Sequence, residues 1–332
     1  MDIKMGKEET LSKLLDLPIE WIELSNNQGM SARFLNYGAI LLSLMVPDAL
    51  GLSENVVMTY DDPKDFIKNP LYLNAVIGPN AGRLSEGQLK ICDRVFSLPV
   101  DRLGNNLHSG QEGLHQQLWM ITGEMVSNEA CSVVLKYVHG HLQGGYPGNI
   151  VFELAIELND DNELKVTHRA LADRDCHINT TNHTYFNLSG NEKHKIDEHL
   201  LFVNADYFYN LDEKNCPIQE KVHVKGSAFD FRQLTPILSA YKSKYSGIDH
   251  PFSLDDAIDK GMPQVIYKDP VSGRVLEITT NQSDVVIYTN NISYKNHYGI
   301  CFEAQKCPNT LNIVDAGIKY VNEIKYAFKI QK

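Results

Sequence analysis

Hydrophobic and polar positions alternate along most of this chain. In "NIVFELAIELNDDNELKVTHRALAD", Ile150, Phe152, Leu154, Ile156 and Leu158 are apolar, and Glu153 and Glu157 fall between them. Period two is the mark of a strand with one buried face. "NDDN" reads as a turn, after which Leu164, Val166 and Ala170 resume the apolar face in a return strand. "GRVLEITTNQSDVVIYTNN" repeats the plan, with β-branched runs on either side of Asn281–Asp284. "CSVVLKYVHG", "FSLPVD" and "ARFLNYGAILLSLMVPD" also predict strands. Helical periodicity is confined to residues 8–16, residues 61–68 and "TPILSAYKSKY". Many short strands, turn signals and few helices predict an antiparallel sandwich or barrel. No linker, low-complexity tract or clear repeat interrupts residues 1–332, so a single domain is expected.

Composition narrows this picture. The chain is 43% hydrophobic and 22% charged, as expected of a globular protein with a full core. A formal net charge of −11 argues against a nucleic-acid partner, which needs a basic surface to release counterions. No apolar run approaches the ~18 residues that span a bilayer, so no membrane partner is expected. The first residues, "MDIKMGKEETLSKLLDLP", lack the apolar segment of a secretory signal, and a cytoplasmic protein is expected. Cys92, Cys131, Cys176, Cys216, Cys301 and Cys307 form no C-x-x-C pair and are expected to be free, mostly buried thiols.

Five stretches set reactive side chains among glycine, asparagine and proline, where loops and strand ends carry function. They are "VIGPNAGRLSEGQ" with Arg83, "GNNLHSGQEGLH" with His108, "TNHTYFNLSG" with His183, "GIDHPFSLD" with Asp249 and "GICFEAQKCPNTLN" with Glu303. Each has a bland alternative. Arg83 could pair with Glu86 on the surface. Asp249 could form a turn before Pro251. His183 could be a hydrogen-bonded structural histidine. His108, Glu112 and His115 invite a metal reading, but Gly110 and Gly113 break any helix and the spacing is not H-E-x-x-H. In "YGICFEAQ", Glu303 falls opposite Phe302 on a strand. It is trivial if that face meets solvent. It is a candidate base if the face lines a cleft, where desolvation would raise its pKa.

Taken together, these stretches resemble the aldose 1-epimerase (galactose mutarotase) family. "NNLHSG", "QGGYPGN", "TNHTYFNLSG", "FDFR", "GIDHPF", "SGR", "YTNN" and "FEAQ…PN" follow the family's order over roughly residues 20 to 330. The resemblance implies a large antiparallel β-sandwich that interconverts the α and β anomers of an aldohexose, without metal or organic cofactor. It implies Glu303 as general base, His183 as general acid, and Arg83, His108 and Asp249 as sugar-binding residues, with an aldose as partner and a monomer or homodimer as the assembly. Opening a hemiacetal requires the anomeric hydroxyl to lose a proton while the ring oxygen gains one, so one base and one acid must serve a single bond. A carboxylate and an imidazolium suit that task if the site shifts their pKa values toward each other.

The chain departs from the family at two positions. Gly82 stands where the family often has asparagine, and Val286 where it often has glutamine. Fewer polar contacts imply looser discrimination among hydroxyl patterns. Galactose, glucose and the reducing end of a disaccharide therefore all stay open as substrates. A hexose 6-phosphate epimerase would gather further arginines, a sugar-binding protein would not need both Glu303 and His183, and a glycoside hydrolase would pair two carboxylates.

Overall fold

The computed structural model describes residues 1–242, 246–254 and 262–331. Three antiparallel sheets dominate it. A five-stranded sheet runs from Asp2–Lys7 through Glu20–Ser25, Ser31–Leu35 and Leu41–Pro47 to Ser53–Asn55. A nine-stranded sheet has the order Met120–Val126, Ala130–His139, Ile150–Asn159, Glu163–Ala172, Lys319–Ile330, Arg274–Thr280, Val265–Lys268, Leu200–Val203 and Thr235–Pro236. A six-stranded sheet has the order Tyr185–Phe186, Ile300–Gln305, Asp284–Tyr288, Asp249–Ser253, Tyr207–Leu211 and Pro217–His223. The all-β class and the antiparallel sandwich expected from alternation are what the chain forms.

The hairpin at 150–172 follows its pattern. Ile156 pairs with Val166 and Leu158 with Leu164, and the even positions of Ile150–Asn159 are buried while the odd ones are half-buried. "GRVLEITTNQSDVVIYTNN" behaves differently. Its first run, Arg274–Thr280, joins the nine-stranded sheet, and its second, Asp284–Tyr288, joins the six-stranded one. The turn at 281–283 therefore carries the chain between layers. Helix is as sparse as expected: Glu9–Leu15 is α-helical, and Pro63–Phe66 and Ile237–Lys242 are 3₁₀ turns. The end of "TPILSAYKSKY", at residues 243–245, lies outside the described residues. "FSLPVD" is a strand only as far as Ser97, in Arg94–Ser97, because Pro99 offers no amide to extend the ladder.

The core forms where the sheets face one another. Phe152, Leu154 and Ile156 of the large sheet pack in one cluster with Phe34 and Leu44 of the five-stranded sheet and with Phe186, Phe252, Ile287 and Phe302 of the six-stranded sheet. Phe302 lies 5.6 Å from Tyr267 and 6.2 Å from Phe186, ring centre to ring centre. Burying a side chain of this size is worth ~2–3 kcal/mol. That holds the even-numbered face of Ile300–Gln305 against the core and turns Cys301, Glu303 and Gln305 to the other side.

Candidate active site

The outward face of the six-stranded sheet floors an open cleft of about 730 Å³. Register places the chemistry. Glu303 pairs with Val286, which pairs with Pro251, and the next row runs Cys301, Tyr288, Asp249. Asp249 and Glu303 thus stand on one face with a single strand between them. Both line the cleft, together with Arg83, His108 and His183. All five site residues expected from the sequence are brought together.

His183 sits in the two-residue gap between the strands Thr181–Asn182 and Tyr185–Phe186. Its backbone is pinned on both sides: its amide donates to Ala75 O at 2.9 Å, and its carbonyl accepts from Asn74 N at 3.0 Å. The imidazole is buried, and its Nε2 lies 3.6 Å from Glu303 Oε1. Its Nδ1 lies 3.5 Å from Cys301 Sγ. Glu303 Oε2 is buried and has no hydrogen-bond partner among the described residues. A buried, unpaired carboxylate oxygen is costly, and a sugar hydroxyl is a donor able to satisfy it.

Burial is the main cause of the proton affinities here. It raises Glu303, the Asp249 charge adds to that and Arg83 opposes both, leaving the carboxyl at about 8. It lowers His183, a bond to the residue's own backbone opposes that, and the nearby His115 and Arg83 lower it again, leaving the imidazole at about 4. The two shifts run toward each other and cross. The single proton held by the pair at neutral pH therefore rests on the carboxyl, and the imidazole is neutral.

Arg83 opens the short strand Arg83–Leu84, whose partner Asn106–Leu107 leads directly into His108. Arg83 Nη1 lies 3.5 Å from Asp249 Oδ2, so its charge is committed across the cleft; no ion pair to Glu86 exists among the described residues. Burial raises Asp249, and Arg83 pulls it back down. Asp249 is therefore a cleft residue on the strand Asp249–Ser253, not a surface turn.

His108 has a positive φ of 49° and two bonds to Gly82: its amide donates to Gly82 O at 3.0 Å, and its Nδ1 accepts from Gly82 N at 3.1 Å. With Nδ1 accepting, the neutral ring must carry its proton on Nε2. Burial lowers its pKa well below the usual histidine value, followed by the charges of His183, Arg83 and His115, so neutral is the state that counts. His108, His183 and Glu303 place ligand atoms within 4.8 Å of one another, close enough for a metal. The Gly82 bond argues against that use, because both nitrogens of His108 are then spoken for. Its Nε2–H is left as a donor in a residue that lines the cleft. The structure does not group His108 with Glu112 and His115: among the described residues it is His183 and Glu303 that come close to His108, while Glu112 Oε2 accepts from Gly144 N at 2.8 Å.

Gly82 itself is explained by its surroundings. It has φ +77°, and a side chain there would run into the ring of Pro308. The space of the missing amide is filled. Of the two aromatics after His183, Phe186 packs in the core, 5.4 Å from Tyr326, whereas Tyr185 lines the cleft and donates to Leu71 O at 3.0 Å. Tyr72 was not legible in the sequence. It stands 4.6 Å from His108 and 4.7 Å from His115, ring to ring, on a loop where Asn69, Tyr72 and Asn74 all have positive φ. Asparagine at two of those positions is the one local signal available.

A β-sandwich brings a carboxyl, two imidazoles and an Arg–Asp pair together in one cleft. The family model described as aldose 1-epimerase matches residues 20–330. The galactose mutarotase of Rattus norvegicus is 30% identical, over 89% of this chain and 87% of its own length. The aldose 1-epimerase of Haemophilus influenzae is 31% identical, over 94% and 96%. The crystal structure of galactose 1-epimerase from Lactobacillus acidophilus superposes with a TM-score of 0.89 at 28% identity, covering all of both chains. The chain belongs to the aldose 1-epimerase family, whose members are carbohydrate isomerases.

Proposed function

We propose that this protein interconverts the α and β anomers of free aldohexoses, with D-glucose and D-galactose the leading substrates. The observation that carries the reading is the 3.6 Å approach of His183 Nε2 to Glu303 Oε1 on the floor of the cleft. The pair with a protonated carboxyl and the pair with a carboxylate and an imidazolium contain the same number of protons. They differ by one transfer across that gap. Sugar hydroxyls that donate to Glu303 favour the second form. Glu303 then takes the proton from the anomeric oxygen while His183 gives one to the ring oxygen. The bond from C1 to the ring oxygen breaks, a carbonyl forms at C1, and rotation about C1–C2 presents its other face. The same two residues run in reverse to close the ring. Asp249 accepts from hydroxyls, and Arg83 and His108 Nε2–H donate to them.

The reading extends to residues 1–332 working as one catalytic domain in the cytoplasm, as a monomer or homodimer, without a metal or organic cofactor and without a nucleic-acid partner. A phosphorylated sugar fits less well. Arg83 is committed to Asp249, and Arg102, the other arginine lining the cleft, shares it with Asp101, Asp249 and Glu303. Val286 and Gly82 leave the inner wall with few polar contacts, which supports relaxed specificity. Polarimetry on freshly dissolved α-D-glucose, α-D-galactose, maltose and glucose 6-phosphate tests this. Acceleration of the free sugars is expected, and a clear preference for the phosphorylated one would overturn it.

A further inference from the structure

The imidazole of His183 is bracketed by two side chains of a single strand. Glu303 Oε1 lies 3.6 Å from Nε2, and Cys301 Sγ lies 3.5 Å from Nδ1. Residues two apart on a strand project from the same face, roughly 7 Å apart, which suits side chains meeting opposite edges of one ring. Cys301 pairs with Tyr185 on one side and Tyr288 on the other, and it is fully buried. Its position is therefore fixed as firmly as any in the sheet. We infer that Cys301 is a positioning residue for His183, holding the ring by its Nδ1 edge and adapting its hydrogen bond as the ring gains and loses a proton. The inference rests on the proposed acid–base role of His183.

The chemistry of the contact gives the reason. An orienting partner fixes the tautomer and direction of a working histidine, and the usual one is a carboxylate or carbonyl. A carboxylate at Nδ1 would hold the ring as an imidazolium. An epimerase needs a ring that changes charge twice in each turnover, in either direction. A thiol is both a weak donor and a weak acceptor, so it can donate to a bare Nδ1 and accept from Nδ1–H with little preference. Cys301 keeps its proton, because burial and then the charges of Glu303 and Asp249 push the thiol well above its usual value. It is thus neither a nucleophile nor an anion. The other groups around the ring are His108 at 5.1 Å, Tyr185 at 5.0 Å, Tyr72 at 6.1 Å and Tyr288 at 6.4 Å, centre to centre, with His115 and Arg83 acting through charge. Cys301 is the side chain that meets Nδ1, and a hydrogen bond from the ring to the residue's own backbone adds to the hold on the imidazole.

The test compares Cys301→Val, close in shape but unable to hydrogen-bond, with Cys301→Ser, which can donate and accept. Steady-state anomerisation of glucose is followed against pH, and thermal melts monitor the fold. The expected result for Cys301→Val is a fall in kcat of about tenfold with KM unchanged and a displaced alkaline limb of the pH profile, the scale of a partly misdirected general acid. Cys301→Ser is expected to stay within about threefold of the parent. Parent-like kcat and pH profile in Cys301→Val would overturn the inference. So would equal losses in both variants accompanied by lowered melting temperatures, which would mark a packing role alone. Cys301→Ala supplies the same contrast with serine if valine disturbs the strand. Failure of the parent itself to accelerate anomerisation would strike the proposed function rather than the role of Cys301.

Discussion

Burial at Glu303 serves the chemistry and costs stability. Its folded pKa, about 8, lies above the unfolded value of 4.5. The sign follows directly: below 4.5 both states are protonated and nothing is lost. Between 4.5 and 8 the unfolded chain ionises and the folded one does not, so stability falls as pH rises and levels off above 8. Glu303→Gln should therefore raise the melting temperature clearly more at pH 8 than at pH 6, with a gain on the order of 3 kcal/mol at pH 7. Melts at the two pH values check this, and equal effects at both would contradict it. His183→Asn should keep the fold and bind sugar but lose ~10²-fold or more in kcat, the scale of a lost general acid. His108→Asn should raise KM more than it lowers kcat if its fixed Nε2–H donates to a sugar hydroxyl, as proposed, rather than to the breaking bond. Steady-state kinetics on both variants separate these roles.

Alternation made the strands legible, and the packing of Phe302 shows why it also found Glu303. One apolar side chain per pair of residues must face the core, so its neighbours face away. Nothing in the pattern says whether "away" means solvent or a cleft, and that was settled only by Asp249–Ser253 and Asp284–Tyr288 lying beside Ile300–Gln305. The same blindness hid the sheet switch at 281–283, because a strand reads alike in either layer. Arg83 sits on a two-residue strand and His108 in the turn after another, both too short to show a period, and residue types with a family resemblance revealed them. Tyr72 had neither signal. Gly82 was legible as a departure, but Pro308 filling its space was not. Gly82→Asn should therefore fail to restore the family's amide contact. It should instead destabilise by ~1–3 kcal/mol through strain at positive φ and collision with Pro308. A lower melting temperature with no gain in sugar affinity is the expected outcome, and a tighter-binding, stable variant would contradict it.

The whole molecule carries an unusual load of buried imidazole. His115, His139, His168, His177, His183 and His199 are lowered to about 4 each, chiefly by burial, and His108 is lowered well below the usual histidine value. Each has a depressed folded pKa, so its contribution is fully present above the unfolded value of 6.5 and is lost as pH falls from there toward 4. Each costs ~1.4 kcal/mol per pH unit in that window. Against a net stability of ~5–15 kcal/mol, this set should unfold the protein cooperatively at about pH 5. Circular dichroism against pH checks this, and a native spectrum retained at pH 4 would contradict it.

That acid lability places the decisive kinetics on the alkaline side. The Glu303–His183 pair holds one proton between about 4 and 8, and its apparent pKa values belong to the pair. Above about 8 the pair loses that proton, and with it the acid that must reach the ring oxygen. The parent should therefore show kcat/KM level from pH 6.5 to 7.5 and falling as pH rises through about 8. Polarimetric anomerisation by Glu303→Gln across this range, with sugar binding measured in parallel, tests the assignment of the pair. The variant should bind sugar, lose at least ~10²-fold in kcat, and show no alkaline limb in whatever activity remains. Near-normal turnover, or an alkaline limb unchanged from the parent, would mean that Glu303 does not carry the proton.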